Sequence, residues 1–431
     1  MRPQSGIFRP ARAVLAVGTA LIALTACTAP GDGAEPPSEI RASPSEPRQG
    51  VRPGIEVLVS DSLHLVRGRR VGVVTNHPGI DSVGVSSMDR VAVHPVGELV
   101  ALFSPEHDIR GTTEAGVQVP DETDRRTGLP VHSLYGATLA PTPDMLEGVE
   151  VLVFDVQDIG TRYYTYVYTM ALAMEAAGEA GLPFVVLDRP NPIGGRQVQG
   201  NVLDPEFASF VGRYPIPMRH GMTPGELARL FRAEFGVEAV LHVVPLDGWT
   251  RGMLFSDTGL PWRPPSPNMP DLESALHYPG TCLFEGTNLS VGRGTDRAFQ
   301  WIGAPWIDAE ALARAVRDRD LPGVRVRPAR FVPRNPGDGK FDGEPVEGIR
   351  LEVTDPDRYD PTRTAVALLL AARGLSGDHW RWNDEHFDRL AGTQALRLGV
   401  EGGETLERLM ESWADQRQEF ERLRQAHLIY P

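Results

Sequence analysis

Near-continuous apolar runs recur along the first half of the chain, and each ends in polar residues. The runs are "RRVGVVTN", "GELVALFSPEHD", "VEVLVFDVQD" and "LPFVVLDRPNP". Short runs of Val, Leu and Phe are typical of strands that are buried on both faces of a parallel sheet. The pattern therefore predicts four such strands.

Helical patterns alternate with these strands. "TRYYTYVYTMALAMEAAGEAG" is long enough for a helix that ends at Gly178 or Gly181. "TPGELARLFRAEFG" carries a capping box formed by Thr223 and Glu226, and Gly236 can end that helix. The alternation predicts an α/β fold, with a Rossmann-like, open, mostly parallel sheet and helices on both faces.

The pattern changes after Trp249. Residues 259–300 are rich in Pro, Gly and Asn, which is typical of loops, although their aromatic content favours order. A second set of elements follows, with helices at "DAEALARAVRDRD" and "PTRTAVALLLAARG" and strands near "VRVRPARFVP" and "GIRLEVTD". The chain of 431 residues is also long enough for two domains, and the change of pattern places a boundary near residue 300. Near the C-terminus, helical spacing of apolar residues indicates core packing at Leu406, Leu409, Met410 and Trp413.

The first 27 residues have the pattern of a secretory signal. Arg2, Arg9 and Arg12 precede an apolar run, and small residues precede Cys27. The sequence "LTAC" resembles the lipobox of bacterial lipoproteins, in which the cysteine becomes the lipidated N-terminus. An ordinary signal with a chance cysteine is the alternative. Residues 28–50 are rich in Pro, Gly, Ser and Glu and are predicted to be a disordered linker. We therefore expect an extracytoplasmic protein, anchored to a bacterial membrane through this lipid.

Charge and cysteine content narrow the function classes. The formal net charge of the 431 residues is -14, and removal of the three arginines of the signal makes it -14 - 3 = -17. Such a surface repels phosphates, so a nucleic-acid partner is disfavoured. Cys282 is the second of two cysteines, which leaves no pair for a disulfide in the mature chain and no cysteine-based metal site.

Each of the four predicted strands ends in a polar cluster. Ligands bind beyond the carboxyl ends of strands in open parallel sheets, so the clusters are expected to meet in one pocket. Chance, or capping of helices, is the alternative. The clusters contain Asn76 and His77; Glu106, His107, Asp108 and Arg110; Asp155, Gln157, Asp158 and Arg162; and Asp188, Arg189 and Asn191.

The motifs of several enzyme classes are missing from the sequence. It has neither the glycine-rich dinucleotide fingerprint nor a Walker A loop, no G-x-S-x-G elbow and no H-E-x-x-H pair. We therefore expect no cofactor and no resident metal. Carboxylates, amides, guanidinium groups and rings such as Tyr163, Tyr164, Trp262 and Trp301 remain, and this mixture suits a sugar. Cleavage of a glycosidic bond needs a carboxylic acid beside the bridging oxygen.

Many stretches of the chain resemble the NamZ-like exo-β-N-acetylmuramidase family, formerly a domain of unknown function. They include "VGVVTNHPGID", "LFSPEHDIRG", "VLVFDVQDIGTRYYTYVYTM", "LDRPNPIGG", "PSPNMP" and "YPGTCLFEGTNLSVGRGT". The resemblance covers the chain from about Val51 to its end. It implies a Rossmann-like catalytic domain over 51–300 and a smaller α+β domain over 301–431 that closes a cleft. It also implies removal of N-acetylmuramic acid from the non-reducing end of peptidoglycan fragments.

The resemblance also implies a catalytic residue. The family's P-E-H-G motif places its proposed catalytic glutamate on Glu106, here as a general acid, although capping or an ion pair with Arg110 is the alternative. Asp108 stands where the family usually has glycine, and it could raise the pKa of Glu106 or narrow the pocket. Val291 replaces a common glutamate, and "TNH" replaces the more usual T-N-Q.

The remaining candidates are less specific. Glu285 is a second carboxylate or a sugar-hydroxyl acceptor, and His107 orients Glu106 or bonds a hydroxyl; structural roles are the alternative for both. A planar guanidinium matches the lactyl carboxylate of muramic acid, so one of three arginines is expected to bind it. The candidates are Glu106, Glu285 and His107 for catalysis, and Asn76, Arg110, Asp155, Gln157, Asp158, Arg162, Tyr163, Arg189, Asn191, Asn268, Asn288 and Arg293 for substrate binding.

Two other functions remain open on the sequence. A non-catalytic lipoprotein could bind cell-wall sugars in the same cleft. A metal-dependent hydrolase could be built on His77, His107 and a nearby aspartate.

Overall fold

The computed structural model describes residues 50–93, 97–110, 113 and 116–431. The predicted signal, Cys27 and nearly all of the predicted linker lie outside this part. Residues 49–431 cluster as one compact unit. Among the described residues, no helix combines the length and the apolar character needed to cross a membrane.

Strands and helices alternate over most of the chain, and the last part, from Pro361 onward, contains helices. The strands are β1 Arg70–Thr75, β2 Glu98–Ser104, β3 Glu122–Thr123, β4 Pro130–Ser133, β5 Val151–Asp155, β6 Pro183–Leu187, β7 Gln199–Val202, β8 Pro217–Arg219, β9 Val240–Val244, β10 Trp301–Ala304, β11 Val324–Phe331 and β12 Val346–Val353. The helices are α1 Gly54–Asp61, α2 Ser87–Val93, α3 Tyr166–Glu179, α4 Pro224–Glu234, α5 Leu272–Thr281, α6 Ala309–Arg317, α7 Pro361–Ser376, α8 Asp384–Ala391, α9 Ala395–Glu401, α10 Leu406–Glu411 and α11 Ala414–Arg424.

A seven-stranded sheet has the order β3-β4-β2-β1-β5-β6-β9. All its neighbouring pairs are parallel except β3 with β4. From β1 the chain builds outward through β2 and β4, and it then returns to place β5 on the other side of β1. This order confirms the predicted open, mostly parallel sheet, and the reversal between β1 and β5 is the position at which such folds bind ligands.

The two faces of the sheet bury alternate residues against different helices. On β5, Val151 and Val153 belong to the core that contains α1 and α2 residues. Leu152 and Phe154 belong to the larger core that contains α3 and α4 residues. All four side chains are at most 1% exposed. The helices therefore cover both faces, which explains why the strands are apolar along their whole length.

The predicted start of α4 is confirmed in detail. The Thr223 hydroxyl accepts a hydrogen bond from the Glu226 amide, and the Glu226 carboxylate accepts one from the Thr223 amide. Gly236 follows the helix with a φ of 73°, a conformation that suits glycine. The sequence therefore fixes both ends of this helix.

The C-terminal elements form a smaller, antiparallel α+β layer. Its sheet has the order β10-β12-β11, and α6 packs on β11 and β12. In the tail, Leu406, Leu409 and Trp413 are buried in the large core, which confirms the predicted packing role. Val291 also lies in this core and is fully buried.

One helix in the segment after Trp249 was missed. Asp271 caps α5 by accepting a 2.8 Å hydrogen bond from the Ser274 amide, and Pro279 lies inside the helix. Gly280 lets α5 approach α7, because a Cβ at this position would lie 1.9 Å from the carbonyl oxygen of Pro361. The proline and glycine that indicated a loop are thus part of a closely packed helix.

Candidate active site

A cavity of about 300 Å³ lies beyond the carboxyl ends of β2 and β5. Its first wall comes from the segments that follow these strands and contains Glu106, His107, Tyr163, Tyr164, Thr165 and Tyr166. Its second wall comes from later parts of the chain and contains Tyr278, Cys282, Glu285, Arg293, Phe299, Asp338 and His386. Residues of both predicted domains therefore line one cavity, and Glu106 and Glu285 share it.

Glu106 is held by donors from two separate segments. The amide of Gly116 donates to Oε1 at 2.9 Å, and the Thr165 hydroxyl donates to Oε2 at 2.7 Å. Tyr135 also faces this carboxyl: burial, together with the negative charge of Glu106, raises the pKa of Tyr135 to about 12. With 8% of its surface exposed, Glu106 is fixed in position at the edge of the cavity.

The backbone after Glu106 adopts an uncommon conformation. His107 and Asp108 have φ values of 74° and 61°, in the left-handed region that favours glycine. The ring of His107 bonds the Thr113 carbonyl through Nδ1 at 2.7 Å. Conformations of this kind persist only where the surroundings enforce them, and they cluster at functional sites.

The hydrogen bonds of Asp108 explain how an aspartate can occupy the position where the family usually has glycine. Its Oδ1 accepts a 2.5 Å bond from the Arg110 amide, and its Oδ2 accepts bonds from the Thr113 amide and hydroxyl at 2.9 and 2.6 Å. Asp108 therefore stabilises the turn that a glycine would form without strain. It is not among the described residues that line the cavity, so it does not narrow it.

An ion pair forms part of the second wall. Nε of Arg293 donates to Oε1 of Glu285 at 2.5 Å. Burial favours the neutral form of Glu285, but the charge and hydrogen bond of Arg293 outweigh burial and lower the pKa of Glu285. Glu285 is therefore an ionised carboxylate within the cavity.

The cluster after β5 is joined to the cluster after β6 by a buried ion pair. Arg189 holds Asp155 through two bonds, Nε to Oδ1 at 2.5 Å and Nη2 to Oδ2 at 2.9 Å. Asp188 accepts bonds from Thr223, Tyr430 and the amide of Gly225. The two clusters contact each other, but their polar groups satisfy one another outside the lining of the cavity. The expectation that these side chains share one pocket with Glu106 is therefore wrong.

Arg162 occupies a structural position and does not line the cavity. It is fully buried, and its Nη atoms donate to the carbonyls of Asn201, Ile216, Leu390 and Ala391 at 2.7 to 3.2 Å. Gln157 donates to the carbonyls of Asp158 and Pro190 in a similar way. These bonds join chain segments that lie far apart in sequence.

The buried carboxyl of Asp158 has few hydrogen-bond partners to offset its loss of solvation. Its Oδ2 accepts the Gly160 amide at 2.6 Å and lies 3.8 Å from Nε2 of His220. Burial raises the pKa of Asp158 to about 7, and burial and three nearby arginines lower that of His220 to about 3. Burial therefore shifts both groups towards their neutral forms.

The other predicted binding residues lie in several environments. Asn191 bridges the Met222 carbonyl and the Ile193 amide. Asn288 bonds the backbone of His379 and Arg381, and Arg110 forms an ion pair with Asp124. The cavity lining contains Tyr163 and Asn268, whereas Asn76 is buried outside the lining. The proposed binding roles of all these residues remain predictions.

Sequence reasoning missed several cavity residues. Thr165 and Tyr166 belong to the start of α3, and their positions directly after the recognised cluster were the available signal. Tyr135, Asp338 and His386 come from segments with no distinctive motif. The fold alone brings these three to the cavity.

The two histidines proposed for a metal-dependent hydrolase both bond to the protein backbone. His77 and His107 each bond a backbone carbonyl, of Pro264 and Thr113 respectively. Within the described ranges, no group of three or more His, Cys, Asp or Glu side chains has the arrangement of a metal site. The cavity itself offers carboxylates, hydroxyls, imidazoles and rings.

Two family models match the chain. "Exo-beta-N-acetylmuramidase NamZ, N-terminal" matches residues 71–273, and its C-terminal counterpart matches 276–430. The chain belongs to the NamZ exo-β-N-acetylmuramidase family. A relative from Bacillus subtilis strain 168, named peptidoglycan beta-N-acetylmuramidase NamZ, is 46% identical over 381 residues, which are 88% of this chain and 91% of that protein.

Two solved structures share the fold of this chain. Two DUF1343 family proteins of Bacteroides fragilis match with TM-scores of 0.83 and 0.71 at 36% and 29% identity. Each match covers 89% of this chain, and 100% and 99% of the two proteins. The family resemblance expected from the sequence motifs and the Rossmann-like fold are thereby confirmed.

Proposed function

We propose that this chain releases N-acetylmuramic acid from the non-reducing end of peptidoglycan fragments, with Glu106 as the general acid. Membership of the NamZ family confirms the prediction of a glycoside hydrolase, and the Bacillus subtilis relative is named for activity on peptidoglycan. The direction of attack and the role of Glu106 are our proposal.

The position of Glu106 carries the assignment. A general acid must be placed beside the glycosidic oxygen, because it protonates the leaving group as the bond breaks. Glu106 lies at the end of a rigid strand, in a cavity, with both carboxyl oxygens oriented by hydrogen bonds. Such support is what holds a catalytic group in a productive geometry.

The dimensions of the cavity support removal of single terminal sugars. A volume of about 300 Å³ is at the lower end of the range of roughly 300–1,000 Å³ for ligand sites. Tyr163, Tyr164 and Tyr278 supply aromatic surface, and Asn268 and Ser266 supply polar groups. This combination suits one pyranose with an N-acetyl group.

The proposed location is extracytoplasmic, with the protein anchored by a lipid to a bacterial membrane. The n-region, apolar run and "LTAC" sequence support lipidation at Cys27, and the linker over 28–50 would let the enzyme reach the cell wall. The lipid would be the sole contact with the membrane in this proposal.

Turnover of matched synthetic glycosides tests the function. The purified protein is incubated with chromogenic β-glycosides of N-acetylmuramic acid and of N-acetylglucosamine. Release from the first and not from the second is expected. Well-folded protein that binds N-acetylmuramic acid but releases chromophore from neither would instead be a cell-wall binding protein, and activity abolished by a strong chelator would favour the metal-dependent alternative.

A further inference from the structure

Among the described residues that line the cavity, Arg293 is the one whose side chain carries a permanent positive charge. Its side chain is 11% exposed and comes from the glycine-rich loop after α5. Nε is bonded to Glu285. In the described part of the chain, the two Nη atoms have no such bond, so the outer edge of the guanidinium is available to a ligand.

Phe299 fixes the plane of this guanidinium. The carbon atom at its centre lies 5.3 Å from the centroid of the Phe299 ring. Phe299 has a φ of 66°, which is a true outlier for a bulky residue, and its amide is held by the Val291 carbonyl at 2.6 Å. The Tyr278 ring lies nearly perpendicular to the same ring, with an interplanar angle of 79° and the two centroids 4.6 Å apart. The fold thus maintains a strained residue whose ring lies beneath Arg293.

Glu285 fixes the same guanidinium from the side. Its Oε1 accepts the bond from Arg293, and its Oε2 lies 3.6 Å from the thiol of Cys282. Lys340 donates to the carbonyl of Glu285 at 3.3 Å, which holds the backbone of this segment. With its carboxylate engaged in this way, Glu285 is placed to orient Arg293.

We propose that Arg293 determines the specificity of the site by binding the lactyl carboxylate of N-acetylmuramic acid, with Glu285 as its positioning residue. This inference rests on the proposed function. It assigns Glu285 a role other than that of a second catalytic carboxylate.

The chemistry of the two cell-wall sugars supports this choice. The lactyl ether gives N-acetylmuramic acid a carboxylate that N-acetylglucosamine lacks. The Nη1 and Nη2 edge of a guanidinium matches the two oxygens of a carboxylate in a bidentate arrangement. Of the three arginines proposed from the sequence, Arg162 and Arg189 donate to protein groups outside the cavity. Arg293 alone of the three lines it.

The test compares a substrate with its neutral analogue. Chromogenic β-N-acetylmuramic acid glycoside and the methyl ester of its lactyl group differ by one methyl group, which removes the negative charge that Arg293 is proposed to bind. In Arg293→Gln, kcat/KM for the acid is expected to fall roughly 10- to 100-fold, mostly through KM. The ester is expected to change much less.

A double variant controls for the possibility that the single variant loses activity because it does not fold. Arg293→Gln leaves the buried charge of Glu285 unpaired, whereas Arg293→Gln with Glu285→Gln removes both charges. The preference for acid over ester should be lost in both variants. Arg297→Gln, in the same loop but outside the cavity lining, is the matched control and should keep it.

Two results separate this inference from the proposed function. An unchanged ratio of acid to ester turnover in the double variant would overturn the role of Arg293 even if the enzyme is an N-acetylmuramidase. If the wild type turns over neither glycoside, the proposed function fails, and calorimetric binding of free N-acetylmuramic acid and its methyl ester decides the matter. Binding of the acid that weakens in the variants supports the role of Arg293, and equal binding overturns it.

Discussion

The hydroxyl of Thr165 donates a 2.7 Å hydrogen bond to Oε2 of Glu106. The two residues are 59 positions apart in sequence. Glu106 follows β2, and Thr165 immediately precedes α3, so the bond joins the segment after β2 to the start of α3. It fixes the proposed acid relative to the aromatic wall of the cavity.

Loss of this bond should slow catalysis. In Thr165→Val the shape is retained but the donor is lost, so the Glu106 carboxyl is less well oriented. We expect kcat on the N-acetylmuramic acid glycoside to fall about 10-fold, with little change in KM. Thr165→Ser keeps the hydroxyl and should remain close to the wild type in steady-state assays. Equal losses in both variants would show that the bond does not matter.

Arg162 should contribute to stability and not to substrate binding. A lysine at this position cannot supply the donors that reach four carbonyls in three segments of the chain. Arg162→Lys should lower the free energy of unfolding by about 2–4 kcal/mol, measured by urea denaturation. KM of the folded enzyme should not change. A raised KM at unchanged stability would instead indicate contact with substrate.

The buried carboxyl of Asp158 should make stability depend on pH. Burial raises its pKa from 3.8 to about 7. Because the folded-state pKa is the higher one, the contribution of Asp158 is most favourable below pH 4 and is lost as the pH rises towards 7. Asp158→Asn does not titrate. Its free energy of unfolding relative to the wild type should therefore rise from pH 4 to 7, by at most about 1.4 kcal/mol per pH unit, and level off above.

Urea denaturation of both proteins between pH 4 and pH 8 measures this difference. Asp188, whose pKa burial also raises to about 7, is present in both proteins and cancels. A difference that is constant over the whole range would mean that Asp158 stays ionised in the folded protein.

Lipidation can be tested on the full chain in its bacterial host. With an intact Cys27, the protein should partition into the detergent phase of a Triton X-114 separation. Cys27→Ala removes the modified atom and should move the protein to the aqueous phase. The same partition for both would contradict the proposed anchor, and recovery of the wild type in the aqueous phase would favour an ordinary secretory signal.

The strands and their carboxyl-end clusters were predictable, because burial on both faces leaves an apolar run with polar ends. The helix α5 was not, since Pro279 and Gly280 normally indicate a loop. Its proline lies inside the helix, and its glycine is required by the approach of α7. These are tertiary constraints that local patterns do not contain.

The site was predictable only in part for a similar reason. Glu106 could be found from its place at a strand end and from the family motif. Arg162 and Arg189 have the residue type and position expected of ligand-binding groups, yet they satisfy buried carbonyls and a carboxylate. Which polar groups satisfy one another, and which face the cavity, is decided by packing between distant segments.

The variant Glu106→Gln tests the central claim most directly. It keeps the shape and polarity of the side chain but supplies no acidic proton to the leaving oxygen. Turnover of the chromogenic N-acetylmuramic acid glycoside should fall by roughly 10²–10⁴-fold, while calorimetric binding of free N-acetylmuramic acid stays within a few-fold of the wild type. Turnover that remains near the wild-type rate in the folded variant would contradict the assignment of Glu106 as the general acid.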